Sequence, residues 1–258
     1  MVAFVQVIRQ IIIISFHHLK KLIFYLGNLY EICGLSASGK TQLCMSVAAN
    51  ISAILVKQSI LYVDTKNDVS TTRLYEIIKG QQNKIRDVNV LMLKIKICRI
   101  KNAYELLSLL HKINQELKIN KDENQGFRLI IIDSLTALFH HFLGELHNEG
   151  LCLLNNIANI LNYIATDFHI IILVTNLVTS WTLESNFNVV AEEENSFSLE
   201  TQITKQPALG KYWAHVPNTR IMMQKLNIGN EYLLTILKSS NEPVGKTIKV
   251  SICNEGLV

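Results

Sequence analysis

The stretch GLSASGKT at residues 34–41 decides the fold, because it has the spacing GxxxxGK[ST] of a phosphate-binding loop. Apolar residues precede it at 29–34 and favour a short strand, while residues 40–52 carry an apolar stripe at helical period. A triphosphate is bound by backbone amides at a helix N-terminus, a mobile cation and a hydroxyl that reaches magnesium. The loop between this strand and this helix therefore predicts a nucleotide site.

Each part of the loop has an expected role in holding ATP. Lys40 supplies the cation and Thr41 the hydroxyl, whereas Ala37 stands where such loops often use glycine for its backbone freedom. The residues that we predict to bind ATP are Gly34, Ser36, Ala37, Ser38, Gly39, Lys40, Thr41 and Gln42.

A magnesium ion that accompanies ATP needs a carboxylate in addition to the Thr41 hydroxyl. The apolar run at residues 129–132 ends in Asp133, which is typical of a central strand buried on both faces. Open α/β sheets bind ligands at such strand tips. We therefore expect ATP and Mg²⁺ as cofactors, with Thr41 and Asp133 as the magnesium ligands.

The remainder of the pattern predicts an α/β fold, a mostly parallel twisted sheet flanked by helices. Further strands are expected at 59–64, 90–97, 129–133 and 169–176, and further helices at 73–79, 102–117 and 150–167. Two more strands, at 219–226 and 231–238, flank a turn and predict an antiparallel hairpin, to which 246–252 adds a strand.

Length and composition suit one globular domain with a large core. The chain has 258 residues, of which 49% are hydrophobic, and 25 basic against 21 acidic residues give a net charge of +4. No basic tail is present to bind nucleic acid by charge alone. Five scattered cysteines without a CxxC pair favour a reducing compartment, cytosol or nucleus.

Residues 1–28 form a leader of uncertain structure before the core at 29–258. Its apolar runs are far shorter than the roughly 20 residues of a membrane-spanning helix, so no membrane partner is expected. No acidic residue precedes Glu31, which leaves a mitochondrial presequence open. The alternative is an edge strand docked on the domain.

Several stretches resemble one known family in their order along the chain. They are GKTQLCMSVAAN at 39–50, ILYVDT at 60–65, LIIIDSLTAL at 129–138, PALGKYWAHVPNTRI at 207–221 and KSSNEPVG at 238–245. The chain resembles the RecA-type ATPase core of eukaryotic recombinase paralogues, and among them the D paralogue of the strand-exchange recombinase. The resemblance implies a RecA-like P-loop core in the nucleus. It also implies an ATP-binding subunit that assembles with other recombinase paralogues, binds single-stranded or branched DNA, and assists homologous recombination repair of double-strand breaks.

Two residues depart from the active members of that family. Lys66 stands where they have the glutamate that polarises the attacking water, and Leu177 replaces a glutamine that senses the outer phosphate. Because lysine cannot act as a carboxylate base, we expect at most a weak DNA-dependent ATPase. The recombinase proper also carries a helical domain and a polymerisation linker before its core, so filament formation through that element is not expected here.

The resemblance places two DNA-facing loops at about 139–150 and 177–206. The second loop carries five glutamates, Glu184, Glu192, Glu193, Glu194 and Glu200, against one lysine, a balance of −4 that repels phosphates. Trp181 could stack on a base, and Lys205 and Lys211 are the other predicted DNA-binding residues. Arg220 and residues 238–245 resemble parts of a protomer interface, with a strand start and a surface turn as the alternative.

Two other functions share the phosphate loop. One is a small-molecule kinase or transport ATPase, which predicts an arginine-bearing lid, although the loop at 177–206 has no arginine. The other is a structural subunit that has lost its nucleotide, for which Ala37 and Lys66 are the only support. Titration with a fluorescent ATP analogue separates the second alternative from an ATP-binding adaptor.

Overall fold

A computed structural model describes residues 11–16, 20–81, 87–119, 126–142, 148–181, 204–226 and 229–258. The strands are β1 (Ile11–Phe16), β2 (Lys20–Tyr25), β3 (Leu29–Gly34), β4 (Ser59–Asp64), β5 (Ile95–Arg99), β6 (Phe127–Asp133), β7 (Ile171–Trp181), β8 (Thr204–Pro207), β9 (Thr219–Lys225), β10 (Glu231–Lys238), β11 (Thr247–Cys253) and β12 (Gly256–Leu257). The helices are α1 (Lys40–Ile54), α2 (Thr71–Gln81), α3 (Val88–Leu93), α4 (Ala103–Ile119), α5 (Leu135–Leu138), α6 (Asn148–Phe168) and α7 (Gly210–His215), with a 3₁₀ turn at His140–Phe142.

The main sheet has the strand order β12-β11-β10-β9-β3-β7-β6-β4-β5, and β8 pairs with β7 beside this path. Neighbours from β9 to β5 run parallel, whereas β9 to β12 form antiparallel pairs. This arrangement confirms the predicted α/β class, the mostly parallel sheet and the C-terminal antiparallel strands. β1 and β2 pair only with each other in the described residues, as a two-stranded antiparallel sheet.

Strand β6 shows why its sequence is apolar almost throughout. Leu129 and Ile131 belong to the core cluster that includes the buried side of α1 and α2, while Ile130 and Ile132 belong to the cluster with α4 and α6. Alternate side chains of a strand point to opposite faces, so helices on both sides require apolar residues at every position. The central position of β6 brings Asp133, its last residue, to the edge of the sheet where α1 begins.

The prediction of a strand at residues 90–97 is confirmed over residues 95–97 and wrong before them. The structure has helix α3 at Val88–Leu93 and the strand begins only at Ile95. The Asp87 side chain accepts a hydrogen bond from the backbone N–H of Asn89 and caps the helix, a signal that the apolar run concealed.

The predicted loops are shorter than their sequence pattern indicated. β7 continues through residues 177–181 and β8 begins at 204, while residues 182–203, with the acidic group at 184–200, lie outside the described part. Within residues 139–150, the structure has the 3₁₀ turn at His140–Phe142 and the start of α6 at Asn148. All five cysteines are unpaired.

Two side chains of β2, Leu22 and Phe24, are buried in the core cluster of α1 and α2. Phe24 packs edge-on against Tyr30 of β3, with ring centroids 4.8 Å apart. Residues 20–25, which the sequence analysis grouped with the leader, therefore contribute to the core. Among the described residues, no helix is both long enough and apolar enough to cross a bilayer.

Candidate nucleotide site

The phosphate loop joins the end of β3 to the start of α1, as the sequence predicted. Gly39 has φ +90°, and a side chain at Gly34 would lie 2.4 Å from the backbone oxygen of Met223. Both positions therefore require glycine, one for its backbone angle and the other for close approach. Ala37 has φ +58°, a left-handed conformation that glycine adopts without strain.

Lys40 is the first residue of α1, and its side chain folds back over the loop. The Nζ atom donates hydrogen bonds to the carbonyl oxygens of Gly34 at 2.9 Å and Leu35 at 2.7 Å, and to Ser38 Oγ at 3.2 Å. Burial, followed by the positive charge of Lys66, lowers the pKa of Lys40 to about 8. The loop thus holds a cation at a desolvation cost that an anionic ligand offsets.

The loop forms one wall of a cavity of about 330 Å³. The predicted residues that line it are Ser36, Ala37, Ser38, Gly39, Lys40, Thr41, Gln42 and Asp133. Gly34 does not line this cavity, and its carbonyl oxygen instead accepts the bond from Lys40. The structure therefore brings together the residues proposed for ATP and for magnesium.

Asp133 is held by neighbours on both sides at the tip of β6. Tyr62 Oη donates to one carboxylate oxygen at 3.0 Å and Thr175 Oγ1 to the other at 2.7 Å. Burial, with the charge of Asp133 as the next cause, raises the pKa of Tyr62 well above its usual value, which keeps its hydroxyl protonated as a donor. Asp133 lines the same cavity as Thr41. Its carboxylate is oriented there by the hydrogen bonds from Tyr62 and Thr175.

These residues fit a nucleoside triphosphate with magnesium. A hydroxyl and a carboxylate are the oxygen ligands that Mg²⁺ takes from proteins that also bind its phosphates. The loop amides at the start of the 15-residue helix α1 and the buried Lys40 supply positive potential for the phosphates. The described residues contain no group of three or more histidine, cysteine or acidic side chains that would hold a metal without a nucleotide.

Five further residues line the cavity. Two of them, Lys66 from the turn after β4 and Leu177 from β7, are the positions at which the sequence departs from active members of the family it resembles. The other three, Asp68 from the same turn, Tyr232 from β10 and Ile252 from β11, were not predicted, because they carry no local motif. A side chain at Gly39 would lie 2.9 Å from Ile252 and 3.2 Å from Tyr232, so the C-terminal strands pack directly on the loop.

The three predicted DNA-binding residues lie on β7, β8 and α7. Trp181 is the last residue of β7, Lys205 lies in β8 opposite Ser180, and Lys211 lies exposed in the first turn of α7. The backbone N–H of Ala208, which lies between β8 and α7, donates to the carbonyl oxygen of Leu177 at 3.0 Å and ties this connection to β7. The segment that carries these residues therefore starts at Leu177, a residue of the nucleotide cavity.

A second group of charges is fully buried beside this segment. Glu31 in β3 accepts hydrogen bonds from Asn176 Nδ2 at 2.6 Å and Trp213 Nε1 at 2.9 Å, and it pairs with Arg220 Nε. Arg220 is the second residue of β9 and is only 8% exposed. Arg220 therefore lies inside its own subunit. Of the two alternatives for this residue, a protomer interface and the start of a strand, the structure agrees with the start of a strand.

The fold and the loop define a phosphate-binding α/β protein, and comparison with known proteins gives its family. The chain matches the Rad51 family over residues 17–258 and belongs to that family. Its core is therefore RecA-like, and members of this family are ATPases that generally use ATP and Mg²⁺. Membership favours the recombinase prediction over a small-molecule kinase or transport ATPase.

Individual relatives share about a quarter of its residues. It is 26% identical over 226 residues to "DNA repair protein RAD51 homolog 4" of Bos taurus, covering 86% of this chain and 64% of the relative. It is 29% identical over 250 residues to "DNA repair protein RAD51 homolog 2" of Mus musculus (90% and 69%). It is 25% identical over 227 residues to "DNA repair and recombination protein RadA" of Aeropyrum pernix (84% and 63%). The chain thus spans under two thirds of the bovine relative's length.

Proposed function

We propose that this chain is an ATP-binding subunit of a recombinase-paralogue complex that assists homologous recombination repair of DNA double-strand breaks. The observation that carries this proposal is the cavity in which Lys40, Thr41 and Asp133 meet in a member of the Rad51 family. The names of its relatives, DNA repair proteins of vertebrates, an amoeba and an archaeon, support a role in repair. Within the family we assign it to the D paralogues, on the stretch KSSNEPVG at 238–245 together with the other stretches that resemble the family.

ATP and Mg²⁺ are the proposed ligands. Lys40 holds the phosphates, the amides of residues 36–42 surround them, and Thr41 with Asp133 holds the ion. Lys66 occupies the position of the water-activating glutamate, and it carries no carboxylate for that role. We therefore assign the nucleotide a role in stabilising a subunit interface, with hydrolysis weak at most.

The proposed partners are other recombinase paralogues and single-stranded or branched DNA, in the nucleus. The proposed DNA contacts are Trp181, Lys205 and Lys211, which lie in β7, β8 and α7. One base stacked on Trp181 and two phosphates near the lysines would give weak binding that decreases with salt. The glutamates at 184–200 act against this contact, so we assign tight DNA binding to the complex and not to this subunit.

Co-purification with paralogues, with and without ATP and Mg²⁺, tests the proposal. The chain should capture its partner more strongly with Mg-ATP, and Lys40→Ala should remove that gain. Lys57→Ala is the matched control. Lys57 is an exposed lysine in the loop before β4, whereas the cavity residues near this strand, Lys66 and Asp68, follow its other end. Equal capture by wild type and Lys40→Ala, together with equal ATP affinity, would contradict the proposal.

A further inference from the structure

The turn that follows β4 is held rigidly against the tip of β6. The Asp64 carboxylate accepts hydrogen bonds from the backbone N–H groups of Lys66, Asp68 and Val69, each at 3.2 Å. A carboxylate that accepts three amides inside a turn fixes the backbone of that turn. Lys66 and Asp68 are thus presented from a defined frame.

Thr65 joins the same turn to the magnesium strand. Its backbone N–H donates to the carbonyl oxygen of Asp133 at 2.9 Å, and its hydroxyl accepts from the N–H of Ser134 at 2.7 Å. The hydroxyl also donates to the Ser134 carbonyl oxygen at 2.9 Å. The position of Lys66 relative to Asp133 is therefore set by three hydrogen bonds of the residue that precedes it.

Lys66 and Asp68 both line the cavity that holds Lys40 and Asp133. The charged side chains of that wall are two lysines and two aspartates, and Asp133 is already oriented for the cation. Among the residues that the structure describes, neither an ion pair nor a side-chain hydrogen bond involves the Lys66 ammonium. Lys66 is exposed, so it can move toward a ligand without losing a native contact.

Two ammonium groups share one wall of this cavity. The positive charge of Lys66 adds to the effect of burial in lowering the pKa of Lys40. Two positive charges that line the same cavity repel each other, and an anion bound between them is attracted by both. A triphosphate with more negative charge than a diphosphate gains more from the second lysine.

We propose that Lys66 is a nucleotide-binding residue that contacts the terminal phosphate and gives the site a preference for triphosphate over diphosphate. This inference rests on the proposed function, since it concerns the same cavity. It gives the residue that replaces the family's glutamate a positive role: the site exchanges a water-activating carboxylate for a phosphate-binding cation. Such a site retains ATP and responds to the loss of its last phosphate.

Equilibrium binding of ATP and of ADP, each with Mg²⁺, to wild type, Lys66→Ala, Lys66→Arg and Lys57→Ala tests the inference. We expect Lys66→Ala to weaken ATP about tenfold and ADP less than about threefold, the loss of one charged contact. Lys66→Arg should restore the ATP affinity to within about threefold, because it keeps the charge. Lys57→Ala should change neither affinity.

Lys40→Ala and Asp68→Asn make the outcomes distinguishable. If the wild-type chain binds neither ATP nor ADP and so cannot be told from Lys40→Ala, the proposed function is overturned, and the inference with it. Binding of both nucleotides with an unchanged ATP to ADP ratio in Lys66→Ala overturns the inference alone. Asp68→Asn should bind ATP at least as tightly as wild type, since it removes a negative charge from the cavity. If ATP affinity falls further in Asp68→Asn than in Lys66→Ala, the Asp68 carboxylate and not the Lys66 ammonium is the group that the nucleotide depends on. That result would also overturn the inference.

Discussion

The phosphate cavity and the cluster around Glu31 differ in how they treat their charges, although both use strand β7. Leu177 faces the cavity, while its neighbour Asn176 donates to Glu31. In the cluster, both charges have partners. Arg220 pairs with Glu31, and Trp213 and Asn176 donate hydrogen bonds to the Glu31 carboxylate. In the cavity, Lys66 is one of the lining residues, and the hydrogen bonds that Lys40 makes within the described part of the chain go to its own loop. Buried charges that are paired with each other stabilise the subunit, whereas charges that line a cavity are available to bind a ligand.

Breaking the buried cluster should have the largest effect. Glu31→Ala leaves the Arg220 guanidinium buried without its partner, so we expect the free energy of unfolding to fall by about 3–5 kcal/mol. Urea denaturation measures this. Glu76→Ala is the control, because its ion pair with Arg73 at 3.3 Å is more than half exposed on the Glu76 side and should contribute at most about 1 kcal/mol. Similar losses in the two variants would show that the cluster is not the stabilising element.

Lys40→Ala should produce the opposite result, a large loss of binding with a small loss of stability. We expect ATP affinity to fall about a hundredfold, because the phosphates lose their one buried cation. Burial already lowers the pKa of Lys40, so its charge costs folding free energy and its removal is partly compensated. Isothermal titration and thermal melting measure the two effects. A melting point that falls as far as in Glu31→Ala would contradict the distinction between the two regions.

Asp133→Asn tests whether the aspartate acts through the metal. With Mg²⁺, we expect ATP to bind about tenfold more weakly, since a charged ligand of the ion is lost. In EDTA the variant should bind ATP at least as well as wild type, because a carboxylate no longer repels the phosphates. Fluorescence titration in both buffers measures the two affinities, and equal weakening in both would assign Asp133 a purely structural role.

Ala37→Gly should have the smallest effect. The left-handed backbone of Ala37 costs about 1 kcal/mol, which glycine relieves, and the greater freedom of glycine in the unfolded chain offsets most of that gain. We expect the free energy of unfolding to change by less than about 1 kcal/mol and the ATP affinity by less than about threefold. A large loss of affinity would mean that the methyl group itself contacts the ligand.

Much of the fold followed from local patterns. The loop at 34–41, the apolar run that ends in Asp133 and the hairpin of β9 and β10 were predicted because each depends on neighbouring residues alone. The first part of the strand expected at 90–97 failed for the same reason: its apolar run suits a helix or a strand, and the Asp87 cap decides between them. Thr41 and Asp133 could be paired in advance because strand tips of a parallel sheet meet at one edge.

The amino-acid sequence by itself specifies where the phosphate loop, the start of the helix and the tip of the strand occur, because each depends on residues that are close in sequence. The tertiary structure decides that these parts share one cavity and that Tyr232 and Ile252 line it. It also decides that Glu31 pairs with Arg220, 189 residues away in the sequence. Such contacts depend on how strands are ordered in the sheet. Strand order results from the packing of both helical layers at once, which no local stretch encodes.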